Sequence, residues 1–246
     1  MPVLDRIAFE SAWKGRGTGG KALLGFGLLG AAAFGPAPLT APLVLATTLA
    51  LALFSARLPA RLYLRLLAIP LGFLLTSLPV FLLSVGWDHG PTVTLNETGW
   101  RQALPPTLRS LAAVAALLLL TLTTPVSRLL VLGHRLGLPT TVTDLALLTH
   151  RLLFVIADMA VTGARSQAFR LGYRGWRRSL RSVSLLAAGL LGRSLDRSRR
   201  LETGLAARGF RGELPILVQI PATTPGEWTT AVAIPLALLL LAWSVP

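Results

Sequence analysis

Five apolar stretches, each long enough or nearly long enough to cross the hydrocarbon of a bilayer as a helix, leave this 246-residue chain little choice of fold. A crossing takes about 20 predominantly apolar helical residues, fewer where a helix is packed among others. The stretches cover 21–34, 39–56, 66–86, 104–124 and 228–245, and the fourth is the cleanest. Pro70 and Pro79 fall inside the third, which is tolerable where neighbouring helices resatisfy the freed backbone groups. With 53% hydrophobic residues and a mean hydropathy of +0.65, the chain is far more apolar than a soluble domain with a charged surface. The expected fold class is an all-α integral membrane protein.

The connections test this reading, because Lys and Arg accumulate on the cytoplasmic side of membrane spans. Arg6, Lys14, Arg16 and Lys21 precede the first stretch, and Arg57, Arg61 and Arg65 lie between the second and third. The opposite links are the uncharged Gly35-Pro36-Ala37-Pro38 and residues 87–103, where Asp88 and Glu97 outnumber Arg101 and Trp87 and Trp100 mark an interface. The pattern predicts five spans, with the N-terminus inside and the C-terminus outside. No continuous apolar core adjoins the N-terminal charges, so no signal peptide is expected.

The link from 125 to 213 stands apart. It holds 15 arginines against five acids and is too long and too apolar for an ordinary loop, so it should be folded. Three regions follow: a bundle over 1–124, a cytoplasmic domain over 125–213 and a last span over 214–246. Within the link, "TDLALLTHRLLFVIADMAVTGARSQ" is apolar enough to invite another span, but His150-Arg151 interrupt it where charge is costly. Asp144, Arg151, Asp158 and Arg165 recur every seven residues opposite Leu148, Leu152, Val155 and Met159, which predicts an amphipathic helix. A second helix is expected over 177–208, closed by Gly209 and separated from the first by the glycines of "RLGYRGW".

Several chemistries are disfavoured. "GRGTGGKA" at 15–22 nearly spells a phosphate-binding loop, but Ala22 stands where a Ser or Thr would hold magnesium and no strand precedes it. A flexible, positively charged lead into the first span is the reading it supports. His89, His134 and His150 are scattered without the i, i+4 spacing of a metal-binding helix, and cysteine is absent, so no metal site is expected. No nucleophile elbow occurs, and the ten acids are dispersed, so neither a hydrolase nor a membrane enzyme is indicated. The basic link has no nucleic-acid recognition module; attraction to anionic headgroups accounts for most of its charge.

Two arginines separate from the rest: Ala164-Arg165-Ser166 and Ala207-Arg208-Gly209 each set one between small residues near a helix end. Such an arginine can form two parallel hydrogen bonds to a carboxylate where small neighbours let backbone approach. Docking to an acidic partner and a solvated arginine beside a helix cap both fit the residues alone.

These motifs, with "LDRIAFESAW", "RLYLRLLAIPLGFLLTSLPVFLLSV", "ALLTHRLLFVI", "GYRGWRRSLRS" and "AARGFRGEL", resemble the transmembrane T component of energy-coupling factor (ECF, EcfT-like) transporters, closest to the cobalt-type CbiQ family. The resemblance extends over nearly the whole chain. It implies a non-catalytic scaffold in a bacterial or archaeal plasma membrane, without a cofactor of its own. Its implied partners are ABC-type ATPases of the CbiO or EcfA kind, a CbiM-like substrate-binding S component with CbiN as accessory, and membrane lipid. Carried onto this chain, Ala164, Arg165 and Ser166, and Ala207, Arg208 and Gly209, become the contacts with the ATPases; Ser166 stands where glycine also occurs in the family. Cobalt or nickel is the implied cargo. The alternative, a permease of a conventional ABC importer, would carry a Glu-Ala-Ala type coupling loop, which is not seen.

Overall fold

The computed structural model describes residues 3–86, 92–95, 99–210 and 221–244. Trp87, Asp88, His89 and Glu97, read above as part of an outer link, lie outside the described residues. The chain divides into two compact units: one made of Pro2–Leu129 with Gln219–Pro246, the other of Leu130–Val218.

The first unit is a helical bundle. A short helix α1 (Val3–Glu10) and a 3-10 turn (Ala12–Gly15) lead into α2 (Thr18–Phe34) and α3 (Ala37–Ala50), which runs on through a π turn (Leu51–Ser55). Then come α4 (Ala60–Leu82), α5 (Gly99–Thr123) and, near the end of the chain, α9 (Pro225–Ser244). Packing centres on α2 and α5: α2 lies against α5, α9 and α3, and α5 also packs on α3, α4 and α1. The fully buried core is built from Leu28, Ala31, Ala32, Val44, Ala112, Ala116, Leu119 and Leu122. Small residues dominate it, because helices that share a lipid solvent gain little from burying leucine and associate through close van der Waals packing. Gly25, whose place a Cβ would share with Leu120, and Gly27, hard against Pro235, permit that approach. On the outside, Phe34, Phe54, Ile69, Phe73 and Val80 are strongly exposed, as suits side chains solvated by acyl chains.

Helices α4, α5 and α9 are each long and apolar enough to cross a membrane, and α2 and the 39–55 segment are shorter apolar helices. Helix α7 of the other unit also meets that length and composition. The bundle's helices coincide with the five apolar stretches, with shifted ends: α4 begins at Ala60, six residues before the expected start, and α5 at Gly99 rather than 104. Helix α1 and one further feature were not anticipated. Leu83–Gly86, assigned to the third span, pairs antiparallel with Thr92–Leu95 as a two-stranded ribbon, Leu83 opposite Leu95 and Gly86 opposite Thr92.

The expectation for residues 15–22 needs correction. Far from a flexible lead, Gly17, Gly19, Gly20, Lys21 and Ala22 are buried, and the glycines press against Thr223, Glu227 and Trp228 at the start of α9. Gly17, Gly19 and Gly20 let two helix N-termini meet at distances that a side chain would crowd, whereas a Cβ at Gly15 would meet nothing within 4 Å.

Helix α6 (Val126–Arg135) crosses the division between the units, and the second unit holds α7 (Thr140–Phe169) and α8 (Trp176–Ala207), which pack on each other. Helix α6 was not foreseen. The seven-residue stripe of α7 is solvent-facing at Arg151, Asp158 and Arg165 while Leu148, Leu152, Val155 and Met159 are half-buried, as amphipathicity requires; Asp144, at the head of the stripe, is buried instead. Helix α8 buries no residue fully.

Candidate functional site

Both small-Arg-small motifs sit at the C-terminal ends of long helices, and both helices end in the same way. Arg208 is the C-cap of α8 and Gly209 takes the left-handed conformation (φ +72°). The Gly209 N–H donates to Ala206 O at 3.0 Å and the Phe210 N–H to Leu205 O at 3.0 Å, the paired bonds of a Schellman motif. At α7 the Leu171 N–H donates to Ala168 O and the Gly172 N–H to Gln167 O, each at 2.9 Å. There the left-handed position is held by a leucine, Leu171 (φ +57°), one residue before the glycine.

Side chains staple the turn between the helices. Tyr173 Oη donates to Gln167 Oε1 at 2.8 Å, Ser182 Oγ to Gly172 O at 2.9 Å and Ser179 Oγ to Tyr173 O at 3.2 Å. The sequence pointed only to turn-forming glycines here; scattered hydroxyls at the start of a helix carried no signal of their cross-turn bonds. Where α7 passes α8, a Cβ at Gly163 would collide with Leu186, so the helices touch two residues before Arg165. Ser166 lines a cleft between them with Gly189, Leu190 and Arg193.

Arg165 and Ser166 are exposed and Ala164 is half-buried; Ala207, Arg208 and Gly209 are all exposed. Among the described residues neither guanidinium has an ion-pair or hydrogen-bond partner. The motifs are not brought together: from the crossing at Leu186, α8 runs on to Arg208 over about 30 Å at 1.5 Å per residue. The unit thus presents two separate cationic tips on one hairpin. Such tips can bind acidic surfaces. They supply no nucleophile or general base, and among the described residues no three His, Asp or Glu side chains gather as metal ligands.

One family model and three relatives bear on what a chain with such tips belongs to. The family model described as "CbiQ: Cobalt transport protein" matches residues 10–218. The chain is 39% identical over 222 residues to "Cobalt transport protein CbiQ" of Rhodobacter capsulatus, covering 90% of each chain, and 31% identical over 231 residues to the protein of that name from Salmonella typhimurium, covering 87% of this chain and 99% of the relative. It is also 30% identical over 175 residues to a "Putative fused cobalt transport protein CbiMQ" of Methanocorpusculum labreanum, covering 67% of this chain and 29% of that one. The family match takes in α2 to α8 and both arginine tips, and the similarity to two CbiQ proteins runs nearly end to end, so the chain belongs to the CbiQ family of cobalt transport proteins.

Proposed function

We propose that this multi-pass membrane protein is the scaffold of an ECF-type importer, which carries ATP-driven motion from partner ATPases to a separate CbiM-like subunit that binds cobalt or nickel. The observation that carries the reading is the pair of exposed arginines, Arg165 and Arg208, without a side-chain partner among the described residues and flanked by small residues near the ends of two helices joined by a hydrogen-bonded turn. Each guanidinium, with the neighbouring Ala, Ser or Gly leaving room for close approach, docks on an acidic groove of an ABC-type ATPase. The relative whose name fuses CbiM with CbiQ supports a CbiM-like partner. Helix α8, with Leu185, Leu191 and Leu195 exposed, has the surface of an element covered in an assembly. The excess of Lys and Arg in the N-terminal segment and in residues 130–218 supports a cytoplasmic side for both. When ATP draws the two ATPases together, the tips move with them and the helices pass the displacement on.

Removing one member of a buried charge pair costs about 2–5 kcal/mol, and every 1.4 kcal/mol is tenfold in affinity. Arg165→Ala and Arg208→Ala should therefore each weaken ATPase binding more than tenfold, and the double variant should abolish copurification or uncouple hydrolysis from uptake. Intact copurification and transport in the double variant would overturn the proposal.

A further inference from the structure

The N-terminal segment 12–21 touches the end of the second apolar helix, the end of α5 and the start of α9, and all these contacts lie within the Pro2–Leu129 and Gln219–Pro246 unit. Trp13 is buried and its Nε1 donates to Ser55 Oγ at 3.1 Å, while the Ala12 N–H donates to Ala56 O at 3.3 Å, so the turn is tied to the end of the second apolar helix. Arg16 stacks over the Trp13 ring at 4.7 Å.

Lys21 is almost completely buried. Its Nζ donates to Trp13 O at 2.9 Å and to Thr123 O at 3.1 Å. Thr123 is the last residue of α5, so its carbonyl lacks an intrahelical donor, and Lys21 satisfies it. Five residues on, Arg128 Nη1 donates to Lys14 O at 2.7 Å, and its guanidinium lies 5.7 Å from the Phe9 ring. The α5–α6 junction, through which the chain leaves the bundle, is thus gripped twice by the same segment.

The other crossing is gripped as well. One carboxylate oxygen, Glu227 Oε2, accepts from Thr224 N at 3.0 Å, which caps its own helix α9, and from Gly17 N at 3.1 Å, which caps α2. Gly17, Gly19 and Gly20 let Thr223 and Trp228 approach to contact. Neither the double cap by Glu227 nor Lys21 takes part in the arginine tips.

We infer that residues 12–21 form a clasp that holds both roots of the 130–218 unit, the α5–α6 junction and the start of α9, as one rigid block with the bundle, with Lys21 and Glu227 as its positioning residues. This rests on the lever reading above. A lever delivers its displacement only if its two roots cannot slide past each other, and the clasp supplies that stiffness without touching either tip.

The test uses the full complex, with partner ATPases and substrate-binding subunit, reconstituted in liposomes. Lys21→Met and Glu227→Gln are expected to leave ATPase copurification within twofold and hydrolysis active, while ions moved per ATP fall at least tenfold. Because the chain has no cysteine, Gly20→Cys with Thr223→Cys gives an otherwise cysteine-free lock: a Cβ at 20 would lie 3.0 Å from Thr223 Cγ2, an atom that Thr223→Cys removes. Oxidising this pair in an otherwise unchanged chain should leave transport intact, and in the Glu227→Gln background it should restore the transport-to-hydrolysis ratio until reductant is added. A ratio unchanged in both single variants overturns the clasp, as does transport arrested by the lock or ATPase lost from the clasp variants. Failure of the lever reading is seen separately, in the copurification of the Arg165 and Arg208 variants.

Discussion

Tyr63 is fully buried in the bundle, and its hydroxyl donates to Ala115 O at 2.9 Å across the α4–α5 contact. The bond joins two helices whose other contacts are largely aliphatic, so it contributes to register more than to bulk burial. Tyr63→Phe keeps the ring and removes the donor; a typical net hydrogen bond is worth about 1 kcal/mol. Thermal unfolding in detergent should show a loss of about that size with transport retained, whereas no change would mean that the hydroxyl is resolvated without cost. The sequence gives no hint of this pair, because Tyr63 lies outside the apolar stretch assigned to the third span. Arg61 and Arg65 lower the local hydropathy around it although the backbone is already helical. The proposed tips rest on small neighbours around Arg165 and Arg208 that the sequence shows directly, although the same local pattern recurs at Arg16 and Arg193. Lys21 and Glu227 were not legible: a lysine beside glycines has the look of a loop, and only the start of α9, some two hundred residues later, explains why those glycines are needed.

At the scale of elements, the C-termini of α7 and α8 form the same turn with different residues at its left-handed position. Both need a residue in the left-handed region, where an L side chain costs about 1–2 kcal/mol; α8 uses Gly209 and α7 uses Leu171. Gly209→Ala should destabilise the last turn of α8 by about 1 kcal/mol and lower hydrogen-exchange protection of the Gly209 and Phe210 amides about fivefold. Leu171→Gly should raise protection of the Gly172 amide, because relief of strain outweighs the entropy added to the unfolded chain. The reverse ordering would show that the stapled turn, with Tyr173 on Gln167 and Ser182 on Gly172, sets the helix end irrespective of the cap. The long helices were readable because hydropathy and period persist over many turns, while the short α1 and α6 were not. The ribbon of Leu83–Gly86 with Thr92–Leu95 was not, since an apolar run that closes a span and one that starts a strand have the same composition over four residues.

At the scale of the whole molecule, the apolar bundle and the arginine-rich 130–218 unit divide the work that the sequence already divides by charge. The bundle is held by small-residue packing, while α8 of the other unit has no fully buried residue and leaves several leucines uncovered. On the proposed reading, partners cover an element that long and that exposed and sit at the two tips. The lack of cysteine makes the direct measurement simple: Ser166→Cys and Ala207→Cys, one at a time, each labelled with a photoactivatable maleimide in the complex assembled with its ATPases and illuminated. The account predicts an adduct with an ATPase subunit from both positions. Adducts with lipid alone from both positions, in a complex that contains the ATPases, would contradict it.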